Sequence, residues 1–362
     1  MSAITKPTSL DLRPKSALRI FLASQLLTKP VKIALTPETS LKGKTALLTG
    51  STAGLGLLAA GHLLSLDLSR LILAVRSQKK GEAVAETLRR DFPSATVDVW
   101  ILEMGSYSSI QSLAKRAAAE FGQGSGKRLD IAILNAGVAN QDFTLNKSTG
   151  HSDTIQTNFL STFLLAILLL PVLRHKRPVD GAERGTHTPG RLSIVSSGTI
   201  YVGRLKHREK RPFLATYDDK ALFDVQSEYS DSKLLGAMFF IRLMEHLPAG
   251  LEDEVIFNLV DPGLCKGTDL HRGMYGPFAI IMTAFKNIFG RTLSDGAWTY
   301  PDAVLTKGKE SHGCYVMDWE IRPFAEIVYQ PEGQKLMDVL WEETMAEYSF
   351  AGVNDILESF KH

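Results

Sequence analysis

The feature that most constrains this chain is an alternation, beginning near Lys44, of short apolar runs with amphipathic stretches of helical length. The runs are 45–48 (TALL), 71–75 (LILAV), 97–102 (VDVWIL), 131–134 (IAIL), 192–195 (LSIV) and 255–259 (VIFNL). Helix candidates lie between them at 55–66, 79–91, 106–121, 153–173 and 230–247. Units alternating in this way predict an α/β fold of the doubly wound kind, a parallel sheet covered by helices on both faces. The runs carry little polar face, as strands buried on both sides require.

Residues 1–40 read as an N-terminal extension, in which 16–28 (SALRIFLASQLLT) has apolar residues at helical spacing and Pro30 stops the pattern. Residues 41–362 read as one domain, without repeat, low-complexity tract or dividing linker. Residues 175–190 are expected to form an exposed turn. Residues 198–228 form a longer excursion, whose basic run 204–211 (RLKHREKR) is expected to be a solvated loop. The apolar run 159–173 is too short to span a bilayer comfortably and is expected to be a buried helix ending around Pro171. The first residues lack a charged-then-apolar leader pattern, so a cytoplasmic location is expected, with peripheral membrane contact left open. A net charge of +2 gives no field that calls for nucleic acid. The two cysteines, Cys265 and Cys314, have no metal or redox spacing, and no metal is expected.

The first strand runs into Thr49-Gly50-Ser51-Thr52-Ala53-Gly54-Leu55-Gly56. Glycines here permit a tight turn and close approach of backbone to a pyrophosphate. The following helix then offers free N–H groups and the positive end of its dipole. Dinucleotide binding is the expected role of Gly50, Ser51, Thr52, Gly54, Leu55 and Gly56. At the end of the second strand stands Arg76, with Lys79 close behind. An acidic residue there would bond the ribose 2′-hydroxyl of NAD, whereas an arginine accommodates a 2′-phosphate, so NADP(H) is the expected cofactor.

Tyr229 and Lys233 lie four positions apart, on one face of a helix. A free tyrosine, with a pKa of about 10, is a poor acid–base catalyst near neutrality. A neighbouring ammonium is expected to lower that value into a useful range.

The glycine turn, Asn135-Ala136-Gly137 after the fourth strand, Ser196-Ser197 after the fifth, and Tyr229/Lys233 follow one another in order. Together, over residues 41–345, they resemble the short-chain dehydrogenase/reductase family. Leu71–Arg76, Phe21–Gln25, Asp261–Leu270 and Trp341-Glu342-Glu343 further resemble its retinol-dehydrogenase-like branch and fungal reductases of secondary metabolism. The resemblance implies that Tyr229 protonates a substrate carbonyl while NADPH delivers hydride, that Lys233 lowers the tyrosine pKa and holds the nicotinamide ribose, and that Ser197 hydrogen-bonds the carbonyl. Asn158 matches the asparagine that supports a proton relay. Asn135, Ala136 and Gly137 would pass the adenosine ribose, and Pro262, Gly263 and Thr268 would meet the nicotinamide end. Glu103 and Met104 fall beside the adenine, with glutamate where the family usually has aspartate. Ser197 and Tyr229 stand further apart in sequence than in compact members of the family.

After Thr268, Met274, Tyr275, Phe278, Ile280, Ile281, Met282, Phe285, Ile288 and Phe289 fall in the segment that covers substrate in this family, about 264–292. They imply a bulky hydrophobic substrate, a polyketide or terpenoid carbonyl compound, or else a helix pair packed on the core. A homodimer through helices 153–173 and 230–247 is the implied assembly, with the extension and the long loop standing against it. Two rivals to the reductase stay open: a non-redox cyclase, isomerase or lyase on the same NADP(H)-bound scaffold, and a catalytically silent NADPH binder.

Overall fold

In a computed structural model, which describes residues 16–174, 188–268 and 276–361 (backbone alone for 276–282), the apolar runs become strands. They are β1 (Thr45–Thr49), β2 (Arg70–Val75), β3 (Thr96–Ile101), β4 (Ile131–Leu134), β5 (Gly190–Val195) and β6 (Val255–Asp261). Two further strands, β7 (Tyr315–Met317) and β8 (Glu320–Arg322), complete a sheet ordered β3-β2-β1-β4-β5-β6-β7-β8. Neighbours pair in parallel, except β7 with β8. The doubly wound α/β expectation holds. Every residue of β4 and β6 is buried, whereas the edge strand β3 exposes its ends. There Asp98 receives Arg70 from β2 at 2.7 Å.

Helices Tyr107–Phe121, Asp153–Leu173 and Glu228–His246 cover one face, around Phe159, Phe163, Phe239 and Phe240. Helices Gly54–Ser65 and Gln78–Asp91 cover the other, around Leu63, Leu64, Leu71 and Val260. Strand order reverses where β1 and β4 diverge, which opens a crevice at the carboxyl ends of the strands.

Several expectations need correction. The β7–β8 hairpin was not expected, since three-residue strands carry no readable period. Its turn places Asp318 and Trp319 at φ 58° and 60° without a glycine to signal it. Helix Asp153–Leu173 continues through Pro171, which lies inside its last turn, and it is a core element, 89% buried over its apolar window.

The excursion 198–228 is not simply a solvated loop. Leu205 and Phe213 are fully buried, and Glu343 accepts hydrogen bonds from the Phe213 and Leu214 N–H groups at 2.7 and 2.8 Å. Lys206 and Arg208 of its basic run pair with Asp224 and Glu332. The turn expected at 175–190 lies mostly outside the described residues.

The two helices expected to carry a dimer interface are covered by the chain itself. Trp341 stacks on Phe239 at 5.2 Å, Arg242 reaches Gln334 and Asp338, and the Tyr348 hydroxyl donates to Leu160 O at 2.6 Å. Helix Pro331–Glu347 and the turn after it supply these contacts.

Candidate active site

β1 ends in a turn that only glycine fits. Gly50 and Gly54 have φ of 65° and 58°. A Cβ on Gly56 would sit 2.4 Å from Gly50 O. Ala53, which caps the next helix, has no side chain able to satisfy the first-turn N–H groups, and a Cβ on Gly54 would meet nothing within 4 Å. The result is an open, donor-rich cradle that fits a phosphate group.

Asn135 braces this turn from β4. Its Nδ2 donates to Thr49 O and Gly50 O at 3.0 Å, and the Asn135 and Ala136 N–H groups donate to Thr49 Oγ1 at 2.9 Å. Its Oδ1 accepts from the Tyr300 hydroxyl at 2.7 Å. Sequence reasoning had no signal for Tyr300, which comes from a distant helical turn.

The cradle opens into a cleft of about 930 Å³. Gly50, Thr52, Gly54, Leu55, Gly56, Arg76, Asn135, Ala136, Gly137, Ser197, Tyr229, Lys233, Pro262, Gly263 and Thr268 all border it. Arg76 sits at its rim, largely exposed, with Nε 3.8 Å from Glu103.

Other candidates lie off its wall. Ser51 is fully buried with its hydroxyl turned into the fold, and Lys79 points to solvent. Glu103 accepts from the Gly105 N–H at 3.1 Å, and Met104 is buried with its carbonyl taken by Ser161. Asn158 stands just behind the wall.

Ser197 is hydrogen-bonded to the Tyr229 phenol. Lys233 donates from Nζ to Val195 O at 2.8 Å and lies 5.8 Å from the centre of the Tyr229 ring. Asn158 donates from Nδ2 to Val138 O and to Ser232 Oγ, and accepts from the Val138 N–H. Gly137 lets these groups converge: a Cβ there would lie 3.1 Å from Asn158 Oδ1 and 3.8 Å from Lys233 Nζ. Asn158 falls in a π-helical stretch, Gln156–Ser161, of the kind often found at functional sites.

The electrostatics correct one expectation. The Tyr229 pKa is not drawn below its ordinary value in this arrangement. Burial dominates and pushes Tyr229 up, against the pull of the Ser197 hydrogen bond and with the Asp261 charge adding to the rise. Burial also lowers Lys233 to about 8, partly offset by Asp261. The phenol is therefore held protonated beside an amine that titrates near neutrality.

The cleft has an unexpected cover. The helix expected at 16–28, Ala17–Leu22 continued by Ala23–Leu27, contributes Ala17, Leu18, Ile20, Phe21, Ser24 and Gln25 to the wall. Phe21 stacks on Phe285 at 5.4 Å and meets Phe289 at 6.2 Å. Ser24 donates to Asp318 at 2.7 Å, and Arg291 donates to Ser24 O at 2.7 Å while pairing with Asp318. Of the apolar cover residues, Met274 and Tyr275 lie outside the described residues, as do the side chains of Phe278, Ile280, Ile281 and Met282. Ile288 faces solvent.

Comparison with known proteins agrees with this geometry. The model of the short chain dehydrogenase family matches residues 44–181. The chain belongs to the short-chain dehydrogenase/reductase family, whose members are oxidoreductases that bind a nicotinamide cofactor. It is 44% identical to the short chain dehydrogenase/reductase mfmJ of Annulohypoxylon moriforme, over 94% of each chain. It is 40% identical to the short chain dehydrogenase virL of Hypocrea virens, over 92% of each. Among solved structures, an E. coli oxidoreductase, yciK, shares the fold with a TM-score of 0.53 and 19% identity, covering 78% of this chain and 98% of its own.

Proposed function

We propose that this protein is an NADPH-dependent reductase of a ketone or aldehyde on a bulky hydrophobic compound of fungal secondary metabolism, acting in the cytoplasm. One observation carries the reading: the glycine cradle and the Ser197–Tyr229–Lys233 cluster border a single cleft of about 930 Å³. That volume is at the upper end of the usual range for small-molecule sites, about 300–1,000 Å³. The fungal relatives, matched nearly end to end, support the metabolic setting.

The turn Gly50–Gly56 and the first N–H groups of its helix hold the pyrophosphate. Arg76 meets the 2′-phosphate, released from Glu103 at 3.8 Å. Ala136, Gly137, Pro262, Gly263 and Thr268 line the remainder. When bound, NADPH supplies hydride to the carbonyl carbon. Tyr229 gives its proton to the carbonyl oxygen, and a phenol held neutral by burial suits that task. Ser197 donates to the same oxygen as charge grows on it. Lys233, near 8, takes up and releases protons close to neutral pH and restores the phenol. The Asn158 side chain is spent on Val138 and Ser232, and so it positions the loop after β4 against the helix that carries Tyr229 and Lys233.

The test is titration with NADPH and NADH by cofactor fluorescence, then oxidation of the bound cofactor by a panel of hydrophobic ketones and aldehydes. Tight NADPH binding with carbonyl-dependent oxidation is the expected result. Binding without oxidation by any carbonyl favours a non-redox enzyme, and no binding of either nucleotide overturns the reading.

A further inference from the structure

Asp261 ends β6 and borders the cleft, yet the reductase mechanism leaves it unused. It is only 2% exposed. Its Oδ1 accepts from the Gly263 N–H at 2.9 Å, whereas Oδ2 makes no well-formed hydrogen bond among the described residues, with the Gly198 N–H acting on the carboxylate only weakly. The free oxygen lies beside the reacting serine: a Cβ on Gly198, the residue after Ser197, would sit 3.3 Å from it.

Among the described residues no cation forms an ion pair with this carboxylate, and the Arg291 charge acts on it only from further away. Arg291 is paired with Asp318 and bonded to Ser24, and Lys233 donates to Val195 O. The nearby Tyr201 hydroxyl is committed to Pro323 O at 2.6 Å. Burial raises Asp261 to about 6, with the Asp318 charge adding to the rise, against the pull of the Gly263 amide, the Arg291 charge and, least of all, the Gly198 amide. A buried carboxylate oxygen without a donor is unfavourable, and a ligand that brings one recovers that loss.

We propose that Asp261 recognises substrate: its free oxygen accepts a hydrogen bond from a substrate hydroxyl, so the cleft selects hydroxylated carbonyl compounds such as phenolic aldehydes and ketones. This rests on the reductase reading and names the substrate class of the same site. A site built around a buried acceptor rejects an analogue that lacks the donor. A methyl ether is worse still, since it turns a second acceptor toward the carboxylate.

The experiment uses aryl aldehydes and ketones as pairs, each as the free phenol and as its methyl ether, with NADPH-loaded protein. Binding is read by quenching of protein fluorescence and turnover by NADPH oxidation. The wild type is expected to favour the phenols by about 10- to 100-fold, the range for a hydrogen bond to a charged acceptor. Asp261→Asn keeps an oxygen for Gly263 and turns the free position into a donor, so the preference is expected to reverse toward the ethers.

A wild-type ratio near one overturns the proposal, and so does a ratio unchanged in a variant whose thermal melt shows it folded. If phenols and ethers are reduced alike, the reductase stands and recognition by Asp261 falls. If phenols bind preferentially but no carbonyl is reduced, recognition stands and the reductase falls. A matching loss of NADPH affinity in Asp261→Asn assigns the oxygen to the cofactor and overturns the proposal.

Discussion

Asn158 and Val138 are joined by a reciprocal pair of hydrogen bonds, each 2.8 Å long, in which a side-chain amide imitates the backbone of a paired strand. This pair fastens the loop after β4 to the helix behind the active site, and a third bond reaches Ser232 at 2.9 Å. Asn158→Ala is expected to cost about 1–3 kcal/mol of stability, because it strands the part-buried donor and acceptor of Val138 and removes the buried bond to Ser232. Urea unfolding measures this, and an unchanged midpoint would show that the pair is not structural.

Tyr229→Phe keeps the ring and its packing but removes the proton donor. Carbonyl reduction is expected to fall by about 100- to 10,000-fold while NADPH binding stays within a few fold. Steady-state rates beside a fluorescence titration separate the two, and turnover at the wild-type rate would remove Tyr229 from the mechanism.

Arg76 is free to turn from Glu103 toward a 2′-phosphate, because its side chain is 80% exposed and the ion pair is loose. Arg76→Asp is expected to weaken NADPH by about 10- to 100-fold and leave NADH unharmed or improved. Dissociation constants for both nucleotides decide it. Equal losses for both would place Arg76 outside the cofactor contact.

His151 lies between Asp218, at 2.8 Å, and Glu347, at 3.3 Å, and so ties the 198–228 excursion to helix Pro331–Glu347. Desolvation pulls its pKa down, but the bonds to the two carboxylates outweigh it and hold the imidazole at about 9. Because the folded pKa is raised above the ordinary 6.5, its stabilising contribution is complete below about pH 6.5 and is lost as pH rises through about 9. Unfolding free energy measured across pH 6–10 should therefore fall more steeply for wild type than for His151→Leu. Parallel curves would exclude the switch.

The Arg291–Asp318 pair is buried, with side chains 4% and 5% exposed, and it holds the N-terminal helix through Ser24. Arg291→Met leaves the buried Asp318 carboxylate without its cation, with only Ser24 donating to it, and is expected to cost about 3–5 kcal/mol. The double change Arg291→Met/Asp318→Leu is expected to restore much of that loss. Trypsin cleavage at Arg19 should be faster in both, since the helix over the cleft loses its anchor. Protection equal to wild type would mean that the Phe21–Phe285 stack alone holds the helix.

The sequence by itself determined what depends on near neighbours. Apolar runs spaced by amphipathic stretches could form only buried parallel strands with crossover helices. Glycine at Gly50 and Gly56 was dictated by a left-handed turn and a 2.4 Å approach, and Tyr229 and Lys233 share a face because a helix repeats every 3.6 residues. Tertiary structure alone decided the rest. Ser24 meets Asp318 across 294 positions, so no local pattern could place the first helix over the cleft. The direction of the Tyr229 shift, the cover on the expected dimer helices and the unpaired oxygen of Asp261 likewise arise from burial. Burial is a property of how distant segments pack, and desolvation then overrides the charge relations that sequence spacing alone would suggest.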